Sequence, residues 1–132
     1  MIDKTKATTK EAVSTYLATN NIFLGLLKEI RELSKKKPDA ILSEGKVKIV
    51  NRVLKDLKEI LDAEPEGKFL DVLDDSELPQ TSDAVLVMVQ FETALNSFKG
   101  RYYQSYKVDS YSGKSSWVTP EFLEGYKEYK EY

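Results

Sequence analysis

Apolar residues recur along this chain at helical spacing, in three long stretches separated by short polar breaks. From about Thr9 to Lys36, the residues Ala12, Tyr16, Phe23, Leu26, Leu27, Ile30 and Leu33 fall largely on one stripe. Recurrence at three and four residues turns one side of a helix toward a core. Lys35-Lys36-Lys37 suits the negative end of that helix's dipole, and Pro38 stops it. Asp39 or Ser43 can cap a second helix ending near Ala63, with a stripe of Val47, Val50, Val53/Leu54, Leu57 and Ile60/Leu61. Glu64-Pro65-Glu66-Gly67 breaks it. Phe69, Leu70, Val72 and Leu73 predict a short helix before the acidic run Asp74-Asp75-Ser76-Glu77, and Leu78-Pro79-Gln80-Thr81 reads as loop ahead of a capping Ser82.

The third long stretch is Asp83–Tyr106. Val85–Val89 alone resembles a buried strand, but Ala84, Met88, Phe91, Leu95, Phe98 and Tyr102 recur at alternating four- and three-residue steps. A helix so apolar around its start is expected in the middle of the fold. Residues 107–118 break the helical pattern and predict a small β-hairpin or a loop around Ser112-Gly113. Thr119-Pro120-Glu121 opens a last short helix, with Phe122, Tyr126 and Tyr129 on one face.

Three long helices and one or two short ones make this an all-α chain. The short connections point to an antiparallel helical bundle forming one domain over residues 1–132, with residues 1–8 loose. At this length a chain buries roughly 70% of its unfolded surface, enough for a core without metal or disulfide staples.

Composition narrows the chemistry. The chain has no histidine and no cysteine, so the usual groups for proton transfer near neutrality, thiolate chemistry and soft-metal binding are missing. No cofactor is expected. No apolar stretch of a secretory signal follows Met1-Ile2-Asp3-Lys4, and the longest apolar runs fall far short of the ~20 residues a membrane span needs. A cytoplasmic protein without a membrane role is the resulting expectation.

Charge is segregated along the chain. Residues 28–58 hold ten Lys/Arg against five acids, and residues 59–96 hold ten acids against Lys68 alone. Lys28, Arg31 and Lys35 share one face of the first helix, and Lys48, Arg52 and Lys55 share one face of the second. Like charges at this spacing repel by a few tenths of a kcal/mol, so these faces are candidate surfaces for an acidic partner or a nucleic acid. The acidic segment can also neutralise them, within the chain or on a second copy, which makes a homo-oligomer an expectation too.

Two acidic pairs, Glu29-x-x-Glu32 and Glu59-x-x-Asp62, sit on the first two helices. This spacing resembles the paired carboxylates of the all-α nucleotide pyrophosphatases, and the resemblance implies a Mg²⁺-dependent nucleotide hydrolase with those four residues as ligands. The residues themselves argue otherwise. Glu59 and Asp62 lie on the far side of the second helix from its Leu57 stripe, and Glu29 and Glu32 lie off the Phe23/Leu26/Ile30 face. Salt bridges such as Lys28–Glu32 and Lys55–Glu59 are the competing expectation.

Tyrosines gather at the C-terminal end: Tyr102, Tyr103, Tyr106, Tyr111, Tyr126, Tyr129 and Tyr132, with Trp117 among them. Such side chains offer rigid apolar area with a polar tip. Arg101, Tyr103, Tyr106, Tyr111 and Trp117 therefore make residues 101–118 the candidate contact region. The expectation is a non-catalytic helical protein that binds another macromolecule, as a regulator, inhibitor, adaptor or assembly subunit. Protein is the expected partner, with nucleic acid through the basic helix faces as the alternative.

Overall fold

A computed structural model describes residues 1–127 of the chain. Those residues form four helices and one two-stranded hairpin: α1 (Lys10–Lys36), α2 (Glu44–Leu61), α3 (Thr81–Tyr102), β1 (Tyr103–Lys107), β2 (Gly113–Trp117) and α4 (Pro120–Gly125). A short 3₁₀ helix, Pro65–Phe69, lies between α2 and α3. The expected positions of Tyr129 and Tyr132 lie outside the described residues. Among the described residues no helix is long and apolar enough to cross a membrane.

Local chemistry sets the helix starts. Thr9 Oγ1 accepts the Ala12 amide at 3.0 Å, Ser43 Oγ accepts the Lys46 amide at 3.2 Å, and Thr119 Oγ1 accepts the Phe122 amide at 3.1 Å. Each satisfies an amide that has no partner in its own first turn. α3 starts differently. No side chain caps it from Gln80, and the Thr81 hydroxyl instead reaches the carbonyls of Lys37 and Pro38 at 2.7 and 3.0 Å. The Leu42 amide donates to Pro79 O and the Thr81 amide to Ala40 O. The end of α1 and the beginnings of α2 and α3 are thus tied at one corner.

One hydrophobic core joins the three long helices. Phe23, Leu27, Leu54, Leu57, Leu61, Met88, Phe91 and Phe98 are almost wholly shielded from water, each such side chain stabilising the fold by roughly 1.5–3 kcal/mol. α1 packs along both α2 and α3, which touch each other less. The start of α3, expected in the middle of the fold, is not shielded on every side. Leu86, in the apolar run that suggested it, is 64% exposed.

Three further expectations are corrected. The third helix ends at Tyr102 rather than Tyr106, and the hairpin occupies residues 103–117 rather than 107–118. Helical spacing past Tyr102 gives way to cross-strand pairing: Tyr103 lies opposite Trp117, and Tyr106 packs on Phe122 of α4 and Tyr126 just after it. The helix expected at residues 69–73 is also absent. Leu70 and Leu73 are buried from an extended backbone, because Asn51 of α2 bonds both the amide and the carbonyl of Leu73 at 2.8 Å. Phe69 faces water instead.

Residues 1–8, read as loose, have no regular structure, but Ile2 is buried. Gln104 holds the segment through the Asp3 amide and the carbonyls of Asp3 and Lys6. The Thr8 amide donates to Val118 O.

Candidate functional site

The hairpin grows directly out of the core. Trp117 lies 5.0 Å from Tyr16 and 5.7 Å from Phe98, ring centre to ring centre, and 5.3 Å from Tyr103. These offset and tilted aromatic pairs root the strand ends. Tyr103 is partly exposed, with Lys99 Nζ 5.4 Å over its ring. On the opposite face, Tyr106 meets Phe122 at 5.7 Å and Tyr126 edge-on at 5.5 Å. The far strand ends are polar, and the Ser105 and Ser115 hydroxyls share a 2.9 Å hydrogen bond.

The turn beyond the strands is ordered by Asp109. One carboxylate oxygen, Oδ1, accepts the amides of Tyr111 and Ser112 at 2.8 Å each, and the Val108 amide donates to Ser112 O. The bonded amides hold the Asp109 carboxyl below the usual carboxylate range. Tyr111 stands at the tip with 98% of its surface in water, and Val108 beside it is 45% exposed. Tyr111 is thus an aromatic side chain left in water on a turn tied by Asp109.

Arg101, expected in the same surface, is committed elsewhere. Its guanidinium reaches Glu64 at 2.6 Å and Glu66 at 2.7 Å, and the Glu64 side chain is only 5% exposed. The Tyr102 hydroxyl donates to the same Glu64 oxygen at 2.7 Å. Burial first, and that bond second, push Tyr102 up to about 12. Arg101 in turn holds Glu66 below the usual range, chiefly through their hydrogen bond.

The two basic faces part company. On α1, Arg31 approaches Glu92 of α3 at 3.9 Å, Lys35 pairs with Glu32 at 3.4 Å, and Lys28 is exposed. On α2, Lys48, Arg52 and Lys55 line an open cleft of about 550 Å³, together with Asn51, Glu44, Asp56 and Asp75. Asp75 is there because the Asn51 bonds to Leu73 lay the acidic arm beside α2. Three cations and three carboxylates balance in one cleft. Of the acidic 59–96 stretch, Asp75 alone lines this cleft, and Arg31–Glu92 joins the two stretches across helices.

Glu29, Glu32, Glu59 and Asp62 do not come together. All four are exposed, and among the described residues no group of three or more carboxylates is placed to hold a metal ion. Glu32 pairs with Lys35 and Asp62 with Lys58 at 2.7 Å, one register away from the expected Lys28–Glu32 and Lys55–Glu59.

Asn51, Gln104 and Asp109 shape this surface, and sequence reasoning missed them. Asn51 carried a signal, as a lone amide flanking the apolar stripe of α2. No protein-family model matches the chain, and no curated protein or solved structure is significantly similar to it.

Proposed function

We propose that this chain is a non-catalytic helical protein that binds another protein, and that the aromatic hairpin is its contact element. In this reading an antiparallel arrangement of α1, α2 and α3 serves as the rigid mount. The observation that carries it is Tyr111, fully exposed on a turn that Asp109 holds in place. Rigid aromatic anchors dominate binding energy in protein interfaces, because little conformational entropy is lost when they enter a pocket. Lys107 and Lys114 flank the tip and are exposed. The partner that fits presents an apolar pocket rimmed by acidic groups.

The protonation pattern supports a binding role over catalysis. Perturbed groups gather at active sites; here Asp74 and Asp109 serve turns, Glu66, Arg101 and Tyr102 serve one internal pair, and Tyr16 is shifted by burial alone.

Affinity capture from native lysate, with and without nuclease, tests the reading against a Tyr111→Ala, Val108→Ser variant. Quantitative mass spectrometry is expected to find a protein captured by the wild type and depleted at least about tenfold with the variant, the scale of one interface anchor. Equal capture by both chains removes the hairpin reading. A nuclease-sensitive, salt-sensitive association abolished by replacing Lys48, Arg52 and Lys55 with alanine would instead establish nucleic acid as the ligand.

A further inference from the structure

The hairpin has a second surface besides its tip, the outer edge of β2. The Val118 amide donates to Tyr102 O at 2.9 Å and the Val108 amide to Ser112 O at 3.0 Å. Inward bonds of an antiparallel ladder fall on alternate pairs, here Tyr102/Val118, Gln104/Ser116, Tyr106/Lys114 and Val108/Ser112. The amides and carbonyls of Gly113, Ser115 and Trp117 therefore point away from β1. Gly113, Lys114 and Ser115 are exposed, and among the described residues no other segment bonds the backbone of Gly113 or Ser115. The β1 side differs, because Gln104 holds the N-terminal segment there.

We infer that β2 pairs with β2 of a second copy of this chain, antiparallel and centred on Ser115, joining two hairpins into a four-stranded sheet. The strand reads Gly113-Lys114-Ser115-Ser116-Trp117. Folded onto itself about Ser115, it sets Lys114 against Ser116 of the second copy, so the lysines never meet. Gly113 faces Trp117 of the second copy, an aromatic over an edge glycine, which is a stabilising cross-strand pair. Small residues at positions 113 and 115 let the second backbone approach. Proline and bulges, two of the devices that guard natural edges, are absent from this strand, and its single charge, Lys114, lies opposite a serine in this pairing. A two-fold pairing also closes on itself, whereas β1 against β2 of another copy would propagate into a filament. The inference goes beyond the partner-binding reading and is independent of it, because it uses the strand edge and not Tyr111.

The chain has no cysteine, so Ser115→Cys introduces a single thiol. Opposed residues of a hydrogen-bonded antiparallel pair have Cα atoms about 5.5 Å apart, inside the range a disulfide spans. Mild oxidation is expected to give a covalent dimer from Ser115→Cys and none from Ser105→Cys. In sedimentation velocity, the wild-type mass should rise from 15.1 kDa toward twice that value as concentration approaches about 1 mM, as small interfaces require. Ser115→Pro removes an outward amide and no β1–β2 ladder bond, and should stay monomeric with unchanged circular dichroism. Ser116→Glu places a carboxylate opposite Lys114 twice and should tighten the dimer roughly three- to tenfold. A wild type that stays monomeric throughout overturns the inference. So does a Ser115→Pro variant that dimerises as well as wild type, or equal crosslinking from both cysteine positions.

Discussion

Asn51 is the side chain on which the acidic arm hangs. Its amide gives one hydrogen bond to Leu73 and takes another, both buried and both 2.8 Å. Asn51→Ala strands a backbone N–H and a C=O away from water, at about 1–3 kcal/mol each when left unmade. Urea denaturation should show a loss of about 2–4 kcal/mol. A loss below about 1 kcal/mol would mean that water replaces the amide and that the arm opens freely. Tyr102 makes a prediction of the opposite kind, at alkaline pH. Its hydroxyl is pushed up to about 12, while an unfolded tyrosine loses its proton near 10. The stability this supplies is complete below about pH 10 and is lost as pH rises toward about 12. The unfolding free energy should fall over that window, and more gently in Tyr102→Phe. Some slope persists in the variant, because burial raises Tyr16 as well.

Between single residues and the whole lie the helices and turns, and here close approach matters as much as pattern. Gly67 sits in the 3₁₀ helix where a Cβ would strike the Leu61 carbonyl and come within 2.7 Å of Asp62 Cα. Both obstacles are backbone, so neither can swing aside. Gly67→Ala should destabilise by about 1–3 kcal/mol, the usual range for overpacking, and thermal melts followed by circular dichroism would show it. Wild-type stability would mean that the turn after α2 shifts without strain. Nothing in the sequence marked Gly67 beyond its place after a proline. The long helices were legible, because Thr9–Lys36 and Ser43–Ala63 carry stripes and stops that agree with each other. α1 runs Lys10–Lys36 and α2 runs Glu44–Leu61. The end of α3 was not legible: Tyr103 and Tyr106 continue the helical spacing, and only Trp117, fourteen residues ahead of Tyr103, explains why the backbone leaves it. Residues 69–73 misled for the same reason, since their partner Asn51 lies 22 positions before Leu73.

At the scale of the molecule, the two charged stretches of the chain come side by side at two places. The basic stretch from α1 and α2 meets the acidic stretch in space at Arg31–Glu92 and in the α2 cleft beside Asp75. The sequence showed the imbalance but not where the stretches meet, because the buried Asn51–Leu73 bonds that lay the arm beside α2 join residues 22 positions apart. A tighter ion pair comes from outside the basic stretch: Arg101 with Glu64 and Glu66 ties the end of α3 to the turn after α2. Its contribution should separate from that of the exposed pairs. Lys35–Glu32 and Lys58–Asp62 stand largely in water, where such pairs contribute at most about 0.5 kcal/mol and salt screens them. Raising sodium chloride to about 1 M should thus change stability by less than about 1 kcal/mol. Arg101→Met leaves the nearly buried Glu64 without its cation and should cost about 3 kcal/mol, the scale for breaking a shielded pair. Acid reveals the same contact. Glu66 is held low by Arg101, so the stability it supplies is present above the usual carboxylate range and is lost as pH falls below it. The variant should show a flatter acid limb than wild type when unfolding free energy is plotted against pH. Parallel limbs would mean that the guanidinium does not set the charge of Glu66, and that the joint between α3 and the turn after α2 rests on packing alone.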